Sequence, residues 1–243
     1  MIAKSLQFVN MTKLFTCLVA LNLFISTYAQ QKKNYFSDAV SVHLKKYKEN
    51  CKDAVINHDY DRVLYLFDSL VMNHLKGTYI EDLKINKLSG GLFKIEDIEK
   101  PFILTTTSSW IIKNDEEIEA INQLASEFNG MVDIVILFWD AKADIKKIAK
   151  KYNKDVIITY VDERSNREND IISTYKHALG FPTAFYITTD KKIASIDRGG
   201  PVKFKKQQDP DLYVTNYKFY HKKMIQLILN NDLTKNTILT DTD

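Results

Sequence analysis

The run Met131-Val132-Asp133-Ile134-Val135-Ile136-Leu137-Phe138-Trp139 contains one polar residue, Asp133. It is too short to cross a bilayer, which takes about 20 apolar residues. It also lacks the apolar/polar alternation of a strand with one wet face. Such a run suits a strand covered on both faces, as in the middle of a sheet with helices on either side. Its surroundings agree. "PFILTTT" (101–107) is strand-like, and Ile118, Ile121, Leu124, Ala125 and Phe128 fall at helical steps before a stop at Asn129-Gly130. Further on, "AKADIKKIAKKYN" reads as a basic amphipathic helix, "DVIITYVD" as a strand, and "ENDIISTYKHALG" as helix-like. "FPTAFYITTDKKIASIDRGG" reads as two strands around Asp190-Lys191, and a last helix runs from about Tyr217 to Leu229 with Tyr217, Tyr220, Met224, Leu227 and Ile228 inward. Alternating strands and helices imply an α/β class with a central sheet covered on both faces.

Before this core, Phe36, Val40, Leu44, Tyr47, Cys51 and Val55 mark one face of a helix over 36–56. Val63, Phe67, Leu70, Val71 and His74 repeat the pattern over 62–75, after the link "NHDYD", and Gly77 is placed to end the second helix. "DLKINKLSGGLFKIEDIEK" alternates on both sides of Gly90-Gly91, the pattern of a β-hairpin.

Hydrophobic residues at 45% and charged residues at 27% predict a real core. A formal charge of +3 is too weak for an obligatory nucleic-acid partner, which draws on clustered Lys and Arg. The N-terminus reads as an export signal: Lys13, an apolar run from Leu14 to Ile25, and Thr27-Tyr28-Ala29 before Gln30. Either Met1 or Met11 fits as the start, and Cys17 precedes most of the apolar run, unlike a lipoprotein cysteine that closes it. Cleavage near Ala29 predicts a periplasmic or secreted protein with 32 basic against 31 acidic residues and no integral membrane span. Cys51 would then be the sole thiol, with no partner for an intramolecular disulfide. The expected divisions are a signal peptide over 1–29, a helical segment over 30–76, a main domain over 77–230 and a polar tail over 231–243.

These elements resemble the thioredoxin fold, in its exported TlpA-like or redoxin-like disulfide-reductase branch, over about Gly77 to Leu229. The hairpin at Gly90-Gly91 leads to "KPFIL", and "SSWIIKNDEEI" falls where the family reads Trp-Cys-x-x-Cys before a helix. "LGFPTAFYITTDKKI" is similar to the family's Gly-x-Pro-Thr strand motif, and "DRGGPV" to the loop after the last strand. The resemblance implies a thioredoxin-like mixed sheet with an N-terminal helical extension. It also implies a cis peptide at Pro182, and a groove beside it that pairs with an extended peptide through main-chain groups.

The family's reaction needs a thiolate at the helix N-terminus and a second thiol to resolve the mixed disulfide. Here the alignment puts Ile111 and Asn114 at those positions, and no Cys follows Cys51. Cys51 lies on the apolar face of its helix, where a buried, inert thiol is expected. The other reading is a single-thiol redox or peroxidase-like site. Thr106, Thr107, Ser108 and Ser109 lack an adjacent base in the segment and read as strand-end and helix-cap hydroxyls. Lys113, Asp115, Glu116 and Glu117 suit a first helical turn. His43, His58, His74, His177 and His221 show no metal-ligand spacing, and "KFKKQQ" (203–208) reads as a solvated loop. No cofactor or metal is called for.

The expected function is that of a binding or scaffold module without the redox pair, holding an extended segment of another envelope protein. The groove would be formed by Trp110, Ile111, Ile112, Phe181, Pro182 and Thr183. A lone Trp110 is otherwise a packing residue at its strand's end. A third reading puts the function in the N-terminal helices.

Overall fold

Strand β4 (Asp133–Phe138) divides its side chains between two cores, with Ile134, Ile136 and Phe138 in one and Val135, Leu137 and the following Trp139 in the other. That is the period of two expected of a strand buried on both faces. The computed structural model describes residues 33–111, 114–165, 170–198 and 212–240.

Helix α1 (Phe36–Ile56) is followed by α2 (Tyr60–Leu70), which ends in a π turn over Val71–Leu75. The hairpin β1 (Lys84–Lys87) and β2 (Leu92–Lys94) precedes β3 (Phe102–Thr107), α3 (Asp115–Glu127) and β4. Then come α4 (Lys142–Ala149), β5 (Val156–Tyr160), and α5 (Asp170–Ile172) with a π turn over Ser173–His177. Strands β6 (Thr183–Ile187) and β7 (Ile193–Asp197) lead to α6 (Leu212–Thr240).

The seven strands form one sheet in the order β2-β1-β5-β4-β3-β6-β7. Strands β3, β4 and β5 are parallel, from Phe102↔Asp133 and Ile134↔Val156, while β6 and β7 run antiparallel to their neighbours. The parallel β3-α3-β4 unit flanked by the β6–β7 hairpin and a closing helix is a thioredoxin-like fold, with an N-terminal helical segment. No helix among the described residues is long and apolar enough to cross a membrane.

The two faces are covered by different helices. Phe36, Tyr47, Phe67, Leu70, Leu75 and Tyr175 pack with Phe102, Leu104, Phe185 and Ile187 on one side. Ile118, Leu124, Ile145, Tyr220 and Met224 pack with Ile103, Ile136 and Tyr186 on the other. The N-terminal helices therefore help build one of the two cores: Phe36 is fully buried, stacked on Tyr175 at 5.2 Å and edge-on to Phe185 at 5.4 Å.

Three local expectations change. Val55 is 49% exposed, so the buried stripe of α1 stops at Ala54. His74 is exposed and Leu75 is buried in its place, because the π turn, closed by Lys76 N–H to Val71 O at 2.8 Å, adds a residue to that turn. Helix α6 begins before Tyr217 and continues past Leu229 into the segment read as a polar tail. Tyr217 hydroxyl donates to Glu127 at 2.7 Å, and Asn231 Oδ1 accepts from Thr189 N–H at 2.9 Å.

Candidate functional site

The corner between β3 and α3 is built from polar contacts rather than thiols. Ser108 and Ser109 follow β3, and both turn back onto Asp140, two residues beyond the end of β4. Asp140 accepts from Ser108 Oγ at 2.8 and 3.0 Å, from Ser109 N–H at 2.8 Å and from Ser109 Oγ at 2.8 Å. Trp139 N–H donates to Thr107 O at 3.0 Å, which ties the ends of the two strands together. The hydroxyls thus brace the corner and do not cap the helix. A carboxylate is too weak a base to activate a serine alcohol, and no imidazole contacts either hydroxyl among the described residues.

The helix cap is Asn114, whose Oδ1 accepts from Glu116 N–H at 2.9 Å. Asp115, Glu116 and Glu117 occupy the first turn, where acids favour the helix dipole. Ile111 is half-buried, its N–H donating to Ser108 O at 3.2 Å. Ile112 and Lys113 lie outside the described residues, as do the segment 1–32, residues 199–202 of the loop after β7, and 203–208.

Trp110 corrects its reading as a packing residue. It is 71% exposed, with its ring edge-on to Phe181 at 5.5 Å. A large apolar side chain this exposed is informative where a buried one is not. Phe181 in turn lies under Lys176 Nζ at 5.3 Å. Lys176 is buried and ion-paired with Glu163, which His177 Nε2 approaches at 3.6 Å. The Phe181–Pro182 peptide bond is cis. Thr183 Oγ1 donates to Gly180 O at 2.9 Å, and Thr183 O accepts from Thr106 Oγ1 at 3.3 Å. The β3–β6 ladder ends at Thr106↔Thr183, so the main-chain groups of Phe181 and Pro182 lie beyond it.

The structure brings Trp110 and Phe181 together, with Pro182 and Thr183 next in the chain. The sequence reading missed Asp140, Lys176 and Glu163. Asp140 had one legible sign, an acid closing the apolar run "LFWD"; Lys176 and Glu163 had none, because their pairing spans a loop.

Cys51 stands apart, on α1. It is partly rather than fully buried, at the margin of the first core. Next to it, the Tyr47 hydroxyl is pushed up to about 12 by burial and by Cys51, against the opposing pull of Arg198. Arg198 donates to Tyr47 Oη at 2.6 Å and lies over the Phe67 ring at 4.6 Å. His43 and His74 stack at 3.7 Å between centroids, and the described residues contain no group of three or more metal-ligating side chains.

No family model matches this chain, and no curated protein matches it. Among solved structures it is similar to a DsbE-type thiol:disulfide interchange protein of Chlorobium tepidum, with 16% identity, 63% of this chain and 97% of that one covered, and a TM-score of 0.48. It is also similar to peroxidoxin BcpB of Mycobacterium tuberculosis, with 17% identity, 63% and 97% covered, and a TM-score of 0.46. The thioredoxin domain of a Bacteroides vulgatus thiol-disulfide oxidoreductase is similar at 17% identity, with 59% and 96% covered and a TM-score of 0.44.

Proposed function

We propose that this chain is an exported thioredoxin-fold protein without a redox dithiol, acting as a binding module for an extended segment of another envelope protein. The observation that carries the reading is Trp110, exposed and set against Phe181 beside Pro182, at a corner with no thiol. An extended segment added ahead of the start of β6 would use the main-chain groups of Phe181, and such pairing asks nothing of a cysteine. Trp110 and Phe181 would supply apolar anchors, with half-buried Ile111 between Trp110 and the start of α3; Thr183, expected in the wall, is fully buried and takes no part in it.

The test uses Trp110 as reporter, since the other tryptophan, Trp139, is buried. Extended peptides selected on the folded protein should shift Trp110 emission to the blue. Trp110→Ala should weaken their binding at least about 30-fold, the effect of a hot-spot aromatic. Selected peptides that bind Trp110→Ala equally well would refute the groove. Separately, the protein should not catalyse insulin reduction by dithiothreitol.

The second reading is a single-thiol redox protein using Cys51, favoured by the partial exposure of that thiol beside Tyr47 and Arg198. It requires Cys51 to alkylate rapidly in the folded protein; labelling limited by unfolding would remove it.

A further inference from the structure

Helix α4 and the residues just after it carry Lys142, Lys146, Lys147, Lys150, Lys151 and Lys154, against the acids Asp144 and Asp155. Asp144 is engaged by Arg164 at 3.2 Å and Asp155 accepts from Ser126 at 2.9 Å. Lys151 pairs with Asp115 at 2.5 Å. Lys142, Lys146, Lys147 and Lys150 have no acidic partner among the described residues, and all four are exposed. Ile145, fully buried in the second core, holds the helix on the sheet, so the lysines are turned outward.

These four lysines border a groove of about 590 Å³ whose other walls are Ala143, Ala149 and Leu88. Leu88 belongs to the β1–β2 turn, which Leu88 N–H anchors to Ile158 O at 2.9 Å. The turn bends through Gly90 and Gly91, with φ of 106° and 73°, and presents Lys87 and Leu92, the latter 48% exposed. An apolar turn tip therefore sits beside a row of unpaired cations.

We propose that this face docks on an anionic lipid bilayer surface, independently of the Trp110 groove. The unpaired cations that line it are all lysine, the one neighbouring arginine, Arg164, being held by Asp144 and Asp162. Lysine ammonium groups are point charges on flexible stems, without the planar fork by which arginine holds one carboxylate or phosphate bidentately, and a row of them suits a diffuse sheet of negative charge. Polybasic segments gain attraction from anionic leaflets with each lysine, and an apolar residue among them supplies a shallow wedge. Leu92 and Leu88 are placed for that role. The attraction acts over about a Debye length, so it weakens as salt rises.

The experiment is co-sedimentation of the purified full chain with vesicles of phosphatidylglycerol mixed with phosphatidylcholine, and with vesicles of phosphatidylcholine alone. Binding is expected on the mixed vesicles only, and it is reversed by salt. Each of Lys146→Gln, Lys147→Gln and Lys150→Gln should lower partitioning about fivefold, and Leu92→Ser should lower it further. Lys218→Gln with Lys222→Gln, exposed on α6, should leave it unchanged, as should the thermal unfolding of every variant. Binding through the apolar run of residues 14–25 would be equal on neutral vesicles and indifferent to the lysine changes; that outcome overturns the proposal. So does equal partitioning of the wild type and a variant that combines Lys146→Gln, Lys147→Gln and Lys150→Gln.

Discussion

Asn114 and Asp140 show what holds the corner between β3 and α3. Asn114 closes the N-terminus of α3 through a side-chain acceptor, so Asn114→Ala should cost about 1 kcal/mol of stability by denaturant titration. Asn114→Asp should keep most of it. Asp140 accepts from three donors on two serines, the Ser108 hydroxyl shared between its two oxygens, and Asp140→Asn leaves one oxygen to receive them. A loss of about 1–3 kcal/mol is expected, read from the same titration. The absence of thiols at this corner was legible residue by residue, since it depends only on composition and order. The brace from Asp140 was not, because its partners are 31 and 32 positions away in the chain. Trp110 was legible as a Trp at a strand end and not as an exposed one; exposure depends on what Phe181 leaves uncovered.

At the scale of elements, periodicity placed nearly every helix and strand, and its failures have separate causes. The π turns over Val71–Leu75 and Ser173–His177 break the step of 3.6 residues on which the reading depends. The first turns His74 out of the core and against His43 of α1, ring on ring at 3.7 Å. Desolvation of its ring, then the charge of His43 and of Lys46, lowers the pKa of His74 from its ordinary value. A histidine whose folded pKa is depressed is neutral in the fold while the unfolded chain still binds the proton. Its contribution is fully present above the ordinary pKa, near 6.5, and is lost as pH falls through the lowered value. Stability should therefore fall as pH drops from about 7.5 to about 5 across that ordinary value. His74→Gln should flatten this part of the profile, measured as the denaturant midpoint. Helix α6 outran its expected ends for a different reason. Tyr213, Tyr217 and His221 stack along it at 6.2 and 5.6 Å, and their contacts with α3 continue the interface beyond the apolar stripe.

For the whole molecule, the N-terminal helices belong to the core. Phe36, Leu75 and Val71 share a cluster with Phe185 and Ile193, and Arg198 at the end of β7 binds Tyr47 of α1 and covers Phe67 of α2. A chain starting at Gly77 would uncover much of that side of the sheet, leaving only Ile172, Tyr175 and their neighbours over it. It should lose cooperative unfolding and bind a hydrophobic dye, so a partner pull-down on such a truncation would not isolate the role of the helices. Arg198→Ala is the milder probe: it removes a hydrogen bond and a cation–π contact, and should lower stability by about 1–2 kcal/mol without abolishing folding.

By itself the sequence determined the α/β class, the central strand buried on both faces, the hairpin at Gly90-Gly91 and the lack of a thiol pair at the β3–α3 corner. These depend on local period and composition, which are carried along the chain. Only the tertiary structure decided that the N-terminal helices complete a core, that Ser108 and Ser109 converge on Asp140, and that Trp110 faces solvent beside Phe181. Each of these joins positions far apart in sequence, and no periodicity along one segment records which distant segment will be packed against it.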